Sequence, residues 1–197
     1  MSALSQVGML LVNTIGSMVL LIVMLRFLLK LVRADFYNPI SQFIVKFTNP
    51  ILIPLRRMVP SIAGLDTASL LLAYIVQVLV MVATLIVAGS GLALPWANIL
   101  VWALIGLPAL ILNVYFWGLI ITVIASWVAP NSYNPALILI NQILEPVVRP
   151  IREKMPDMGG IDLSPIVVFL VIQIVEIMVI RQLAVLTQMP RGLVFGL

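Results

Sequence analysis

The chain has 197 residues, of which 63% are apolar and only 9% are charged, whereas about a quarter of the residues in an ordinary soluble domain are charged. With a mean hydropathy of +1.23, this composition excludes a soluble globular protein and predicts an integral membrane protein. The chain contains no cysteine and no histidine, which excludes disulfides, thiol chemistry, imidazole metal sites and histidine general bases.

The formal net charge is +4, and nine of the eleven Lys and Arg residues lie in two connecting stretches at 26–57 and 149–154. Basic residues beside membrane spans usually set topology and meet lipid headgroups. We therefore expect a bilayer with anionic headgroups as the immediate partner and no nucleic-acid partner. Other membrane proteins, or self-association, are the expected protein partners.

Long uncharged stretches predict the membrane spans. Val7–Leu25 is uncharged and lacks the basic flank of a secretory signal, so we expect this helix to be retained. The 78 residues between Asp66 and Glu145 carry no charge and far exceed the roughly 20 residues of one crossing, so they predict two spans joined by a Gly- and Pro-containing turn. Pro108 in the third span predicts a kink or the true start of that span. The predicted spans are 7–32, 67–88, 99–128 and 163–184.

The connecting stretch Tyr37–Asp66 returns 96 residues later as Tyr133–Asp162, which indicates a tandem duplication. We expect two repeats, 1–98 and 99–197, each with an amphipathic cytoplasmic segment that is re-entrant or interfacial, at 37–62 and 133–158. The first copy carries nine recurring residues: Tyr37, Asn38, Pro39, Pro50, Pro54, Arg56, Pro60, Gly64 and Asp66. Their counterparts are Tyr133, Asn134, Pro135, Pro146, Pro150, Arg152, Pro156, Gly160 and Asp162.

Each copy opens with Asn-Pro, which predicts a helix with asparagine as N-cap and proline at its first position. In the first copy, apolar residues recur at helical spacing at Ile40, Phe43, Ile44 and Phe47. The polar residues mostly opposite are Ser41, Gln42, Lys46 and Thr48. This pattern predicts a short amphipathic helix lying in the headgroup plane.

The prolines predict where that helix ends. Proline removes a backbone donor and clashes with the preceding turn, so Pro50 and Pro146 are expected to end the helix in each copy. Pro50–Pro54 and Pro146–Pro150 would then form a stiff connector or a new helical start. The glycine two residues before the aspartate of each copy, Gly64 or Gly160, predicts a hinge into the next span.

Two residue types in the repeat have both a structural and a functional interpretation. Asp66 and Asp162 resemble the carboxylate pair of an intramembrane aspartyl protease, but as N-caps at helix ends they are explained without catalysis, and we favour the N-cap. Arg56 and Arg152 either anchor the connection at the interface, which we favour, or bind a lipid phosphate or an acidic partner segment. We therefore expect no catalytic, cofactor-binding or metal-binding residue.

Polar groups inside the spans form a separate set: Gln77, its repeat counterpart Gln173, and Glu176. Ionisable groups within a membrane are costly and often functional. Glu176 either pairs with Arg181 or with amides of another helix, which we favour, or lines an ion or proton path. Trp96 and Trp127 are expected to be interface anchors on opposite faces.

The positive-inside rule places both basic connections in the cytoplasm and both termini in the periplasm. Arg181 and Arg191 lie on the other side, but the majority of basic residues still favours this orientation. Two crossings separate the copies, so they should be parallel repeats. The expected fold is an all-α membrane protein with four transmembrane helices, built as two parallel tandem repeats.

The repeated unit resembles the YggT (YlmG) family of integral membrane proteins. The resemblance is carried by Ser126-Trp127-x-x-Pro-x-x-Tyr133-Asn134-Pro135, by P-x-x-x-P-x-R, and by Gly160-Ile161-Asp162-Leu163-Ser164-Pro165. The first copy departs from it at Leu31 and at Ala68-Ser69. The resemblance implies a bacterial inner-membrane protein connected with osmotic stress tolerance, potassium homeostasis and envelope organisation. Chloroplast relatives are connected with haem attachment to cytochrome b6.

These observations leave three classes of function. We favour a non-enzymatic membrane scaffold or assembly factor, because the chain has no nucleophile–base set and has two shaped cytoplasmic segments. The alternative is an oligomeric channel, transporter or transport modulator for potassium or protons, with Glu176 as its best residue. An intramembrane enzyme lacks the groups for acid–base or metal chemistry.

Overall fold

A computed structural model of the chain describes residues 3–62, 64–91, 94–129, 132–155, 162–190 and 192–194. Its regular structure in this part of the chain is helical. Four of its helices are long and apolar enough to cross a membrane. The prediction of an all-α multi-pass membrane protein is therefore confirmed.

The same succession of a long, a medium and a long helix occurs twice along the chain. Two of the long helices continue past a regular α-helical end: α3 runs into a π-helical turn (Ile86–Ser90), and α6 runs through a π-helical segment (Glu176–Arg181) into α7 (Gln182–Leu186). The six principal helices are α1 (Ala3–Leu31), α2 (Pro39–Met58), α3 (Thr67–Leu85), α4 (Trp96–Val128), α5 (Pro135–Arg152) and α6 (Ser164–Val175).

The helices pack mainly within their own repeat. In the first repeat α1 packs against α3, with α2 against α1 and α3; in the second, α5 and α6 pack against α4. The repeats meet where α4 packs on α3 and where α2 contacts α5. The main cluster of buried side chains includes Met24, Leu28 and Leu52, none of which is exposed, so α2 is fastened to α1 through an apolar contact.

Close approach and polar contacts both join the membrane helices. A Cβ atom at Gly16 on α1 would lie 2.5 Å from a methyl carbon of Val80 on α3, so only glycine permits this approach. About one helical turn from this contact, the Thr84 hydroxyl of α3 donates to Oδ1 of Asn13 on α1 at 2.9 Å. Because lipid is as apolar as the side chains, such packing and hydrogen bonds are what hold membrane helices together.

The expectation that Pro50 and Pro146 end the interfacial helices is wrong. Pro50 and Pro54 lie inside α2, and their counterparts Pro146 and Pro150 lie inside α5. All four prolines are on the exposed side of their helices. On the exposed side the proline rings do not displace packed side chains, and the helix continues past them.

The face of α2 that packs against the protein is not the face that carries its aromatic residues. The structure buries Ser41 and Thr48 to 3% and 2% exposure, while Phe43 and Phe47 are 59% and 48% exposed. Thr48 is accommodated because its hydroxyl donates to the Ile44 carbonyl at 2.7 Å. The aromatic residues therefore face outward, and small polar residues face the protein.

Pro108 does not mark the start of the third span, because α4 is continuous from Trp96 and contains Pro108. Trp96 and Trp127 lie at the two ends of α4 and are 55% and 83% exposed. Pro156, Gly160 and Arg191, which the sequence singled out, lie outside the described residues.

Candidate functional site

The repeated segments begin with capped helices. The side chain of Asn38 accepts a hydrogen bond from the Ile40 amide, and that of Asn134 accepts one from Ala136, each at 2.9 Å. Proline occupies the first turn in both helices. These contacts are those that the Asn-Pro pattern predicts.

The starts of α2 and α5 also contact each other. The Asn38 amide nitrogen donates to the Pro135 carbonyl at 2.7 Å, and the backbone amide of Asp35 donates to Oε1 of Gln142 at 3.0 Å. Asn38 is buried, whereas Asn134 is exposed. The duplicated segments therefore meet, and the first is the more enclosed. Tyr37 and Tyr133, in contrast, are 86% and 90% exposed.

Asp66 is the centre of a polar cluster where α1, α2 and α3 meet. Its carboxylate is 1% exposed and accepts two hydrogen bonds from the Arg56 guanidinium. Nη2 donates to Oδ2, and Nε donates to Oδ1 at 3.4 Å. The Ser69 hydroxyl donates to Oδ2 at 2.7 Å, and Nζ of Lys30 lies 3.6 Å from Oδ1. The cluster ties the end of α2 and the end of α1 to the beginning of α3.

The charge on Asp66 is stabilised despite its burial. Burial by itself raises the pKa of this carboxyl, but the hydrogen bonds from Arg56 and Ser69 and the charges of Arg56 and Lys30 outweigh it. The net result is a pKa below the ordinary value of 3.8. Asp66 is therefore ionised at neutral pH and serves as the counter-ion of two cations.

The second repeat contains the same pair in a more open setting. Nε of Arg152 lies 2.8 Å from Oδ2 of Asp162, and the two side chains are 50% and 41% exposed. The Ser164 amide donates to Oδ1 of Asp162 at 2.9 Å. Glu145, on α5, adds a weaker ion pair with Arg152 at 3.9 Å.

The pKa of Asp162 moves in the same direction as that of Asp66. Its slight burial raises the pKa, but hydrogen bonds from Ser164 and Arg152 and the Arg152 charge lower it below 3.8. An aspartyl protease dyad instead shares one proton, so that the pKa of one carboxyl is strongly raised. Each aspartate here is held by its own arginine, and neither has the properties of such a dyad.

The N-cap interpretation describes only part of what these acids do. Asp66 occupies the N-cap position of α3, but its carboxylate makes no capping hydrogen bond to the helix backbone. It binds side chains instead. Asp162 does accept from the first backbone amide of α6. The prolines and glycines around the acids shape the loop: the Pro60 carbonyl accepts from the Thr67 hydroxyl at 2.6 Å, and Gly64 has a φ of +80°, which favours glycine.

Sequence reasoning missed two residues of the first cluster. Ser69 is three residues after Asp66, a spacing at which side chains on one helix turn meet, so its part was open to prediction. Lys30 is 36 residues before Asp66 in the chain, and no spacing rule joins them. Only the packing of α1 against α3 brings its ammonium group to the carboxylate.

The intramembrane polar residues lie apart from these clusters. Glu176 pairs with Arg181, whose Nη2 lies 2.8 Å from Oε1, and Glu176 is 16% exposed. Gln77 is 1% exposed and lies against Gly106 of α4, where its amide would be 3.3 Å from an added Cβ. Gln173 is partly buried. In the described ranges, no group of three or more acidic, histidine or cysteine side chains is arranged to hold a metal ion.

Comparison with known proteins finds the repeat independently. The CCB3/YggT family model matches the chain twice, at residues 5–87 and 101–183. An uncharacterised protein of Pseudomonas aeruginosa strain PAO1 is 49% identical over 193 residues, which cover 98% of each chain. An uncharacterised protein of Vibrio alginolyticus is 40% identical over 83% of this chain and 88% of its own. The uncharacterised protein YggT of Escherichia coli K12 is 36% identical over 84% and 85%. No solved structure matches the chain.

Proposed function

Because this chain belongs to the CCB3/YggT family of membrane proteins, we propose that it is a non-enzymatic scaffold or assembly factor of the bacterial inner membrane. The processes it would serve are osmotic stress tolerance and the organisation of envelope or membrane complexes. The observation that carries the proposal is the repeated ion pair, Arg56 with Asp66 and Arg152 with Asp162. The aspartates of the repeat, which are its candidates for catalysis, are thus engaged in ion pairs that join helices.

The ion pairs support a scaffold because of what they hold in place. Each one joins the last turn of an interfacial helix to the start of the next membrane span. With one face of α2 packed on the protein, its other face carries the stacked rings of Phe43 and Phe47, with centroids 6.2 Å apart. Exposed aromatic side chains on a rigid element are the usual anchors of protein interfaces. The proposed partner is another membrane protein that contacts this face at the level of the headgroups.

The proposed orientation has α2 and α5 in the cytoplasm and both termini in the periplasm, because the basic residues concentrate in these two connections. A reporter active only in the periplasm, fused after Ser90 between α3 and α4, is expected to be active. The same reporter fused after Met58 is expected to be silent. The reverse pattern would contradict the orientation.

We expect a photo-crosslinking residue at Phe47 to capture one or a few specific membrane proteins in native membranes. Phe47 is on the exposed face of α2, so a bound partner would lie within reach of the probe. The measurement is identification of the crosslinked proteins by mass spectrometry. Met18 provides the matched control, since it is 61% exposed but lies on α1 within a membrane span, away from α2.

Two results would count against the scaffold. One is a Phe47 crosslinking pattern identical to that of Met18, which would mean that α2 meets only lipid and random neighbours. The other is potassium or proton flux through liposomes containing the purified protein, abolished by Glu176→Gln. That result would establish the transport alternative, with the Glu176–Arg181 pair in the pathway.

A further inference from the structure

A cavity of about 330 Å³ lies between α1 and α2, beside the Asp66 cluster. Its walls carry four cationic side chains, Arg26, Lys30, Arg33 and Arg56, within the part of the chain that the structure describes. Asp66 contacts two of them, Lys30 and Arg56. Positive charge is therefore in excess around the cavity.

Two buried polar atoms of this cavity have no hydrogen-bond partner among the described residues. They are Nε of Arg26 and Oγ of Ser41. Ser41 is 3% exposed and lies on the face of α2 that lines the cavity. Buried polar groups are nearly always hydrogen-bonded, and here one charged donor and one hydroxyl, on two different helices, border the same space. Each is a hydrogen-bond donor without a partner among the described residues, and both belong to residues that line this cavity.

The second repeat provides an internal comparison. Its corresponding cavity lies between α4, α5 and α6. The repeat offset places Thr122, Ser126 and Arg152 of this cavity at the positions of Arg26, Lys30 and Arg56. Two acidic side chains, Glu145 and Asp162, also line it. Duplication has therefore produced two polar cavities, of which only the first is strongly cationic.

We propose that the cavity between α1 and α2 binds a phosphate group. Arginine is the side chain best suited to phosphate oxygens, because its planar guanidinium presents several donors. Lys30 and Arg33 add charge at the rim, and the Ser41 hydroxyl adds a neutral donor. Arg26 lies between one and two turns before the end of α1, which is the end of the first candidate membrane span. The phosphate can thus belong to an anionic lipid or to a soluble phosphate compound.

The test uses the full chain in a neutral detergent, with binding measured by native mass spectrometry. The probes are dioctanoyl phosphatidic acid and dioctanoyl phosphatidylglycerol, with diacylglycerol of the same chain length as the phosphate-free control. Specific binding of the first two, undisturbed by millimolar inorganic phosphate, would identify a lipid headgroup as the source. Displacement of these lipids by inorganic phosphate would identify a site for free phosphate. Binding of no phosphate probe, or equal binding of diacylglycerol, would overturn the proposal.

Three variants locate the binding in this cavity. Arg26→Gln and Ser41→Ala are each expected to weaken phosphate binding about tenfold, since each removes a hydrogen bond to a charged group. Ser41→Ala is also expected to leave the thermal stability of the ligand-free protein unchanged, because its hydroxyl has no partner to lose. The control is Arg149→Gln, which removes one positive charge from an exposed pair with Glu153 on α5. If Arg149→Gln weakens binding as much as Arg26→Gln, or if Ser41→Ala has no effect, the cavity is not the site.

Discussion

Replacing Asp66 with asparagine is expected to lower the free energy of unfolding by on the order of 3 kcal/mol, because the change leaves cations beside a buried group that no longer balances them. The carboxylate is 1% exposed, and its partner Arg56 is 29% exposed. Asparagine keeps the size of the side chain, so the loss reports the charge and its hydrogen bonds. The measurement is reversible unfolding in mixed micelles by increasing SDS, followed by far-UV circular dichroism.

The second repeat supplies the matched control for this prediction. Asp162→Asn makes the same chemical change in the same ion pair, but there both partners are about half exposed. Exposed ion pairs contribute at most about 1 kcal/mol, so this variant is expected to lose less than that. Equal losses in the two variants would show that burial of the first cluster is not what gives Asp66 its effect.

The stability difference between the wild type and Asp66→Asn has a predictable dependence on pH. The pKa of Asp66 is below 3.8 in the folded protein, so as the pH falls the unfolded chain takes up the proton first. The stabilisation by Asp66 is therefore complete above about pH 4 and is lost as the pH falls through the folded pKa. We expect the difference in stability between the wild type and Asp66→Asn to narrow over that acidic range. A stability difference that stayed constant over this acidic range would contradict a lowered pKa of Asp66 in the folded protein.

Adding a single methyl group at Gly16 is expected to destabilise the protein by about 1–3 kcal/mol, the usual cost of overpacking. The new Cβ in Gly16→Ala would lie 2.5 and 2.9 Å from the two methyl carbons of Val80. Valine is stiff at χ1 in a helix, so the side chain cannot turn away and α1 must separate from α3. The same SDS unfolding experiment measures the loss.

Two further variants separate crowding from a general effect of replacing glycine. In Gly118→Ala the new Cβ would lie 3.4 Å from its nearest neighbours, an ordinary contact, and alanine favours the helix by about 1 kcal/mol. That variant should be neutral or slightly stabilised. Adding Val80→Ala to Gly16→Ala removes both close methyl carbons and should restore most of the lost stability. Failure of the double variant to recover would mean that Gly16 matters for a reason other than its contact with Val80.

The sequence pattern of the interfacial helix does not by itself show which face packs against the protein. Helical periodicity groups Phe43 and Phe47 with Ile44 on one apolar face, and the sequence predicts that this helix lies in the headgroup plane. In a membrane protein an apolar side chain is equally well placed against lipid, so hydrophobicity alone does not indicate which face meets protein. α2 turns Ser41 and Thr48 inward instead, and this places a hydroxyl in the cationic cavity.

The sequence by itself determined the class of protein, the number of spans and the duplication. These follow from properties that are linear along the chain: hydropathy sets each crossing, and the recurrence of Tyr37–Asp66 at Tyr133–Asp162 marks the repeat. Asn38 and Asn134 were predictable as caps because capping joins near neighbours in the chain.

Only the tertiary structure decided how the contacts of the two copies differ. Lys30 reaches Asp66 across 36 residues of chain, and Arg26 and Ser41 border one cavity although they belong to different helices. The prolines are accommodated in α2 and α5 because they happen to face outward. Each of these outcomes depends on which side of a helix meets its neighbour, and that is settled by the packing of the whole bundle rather than by any local pattern.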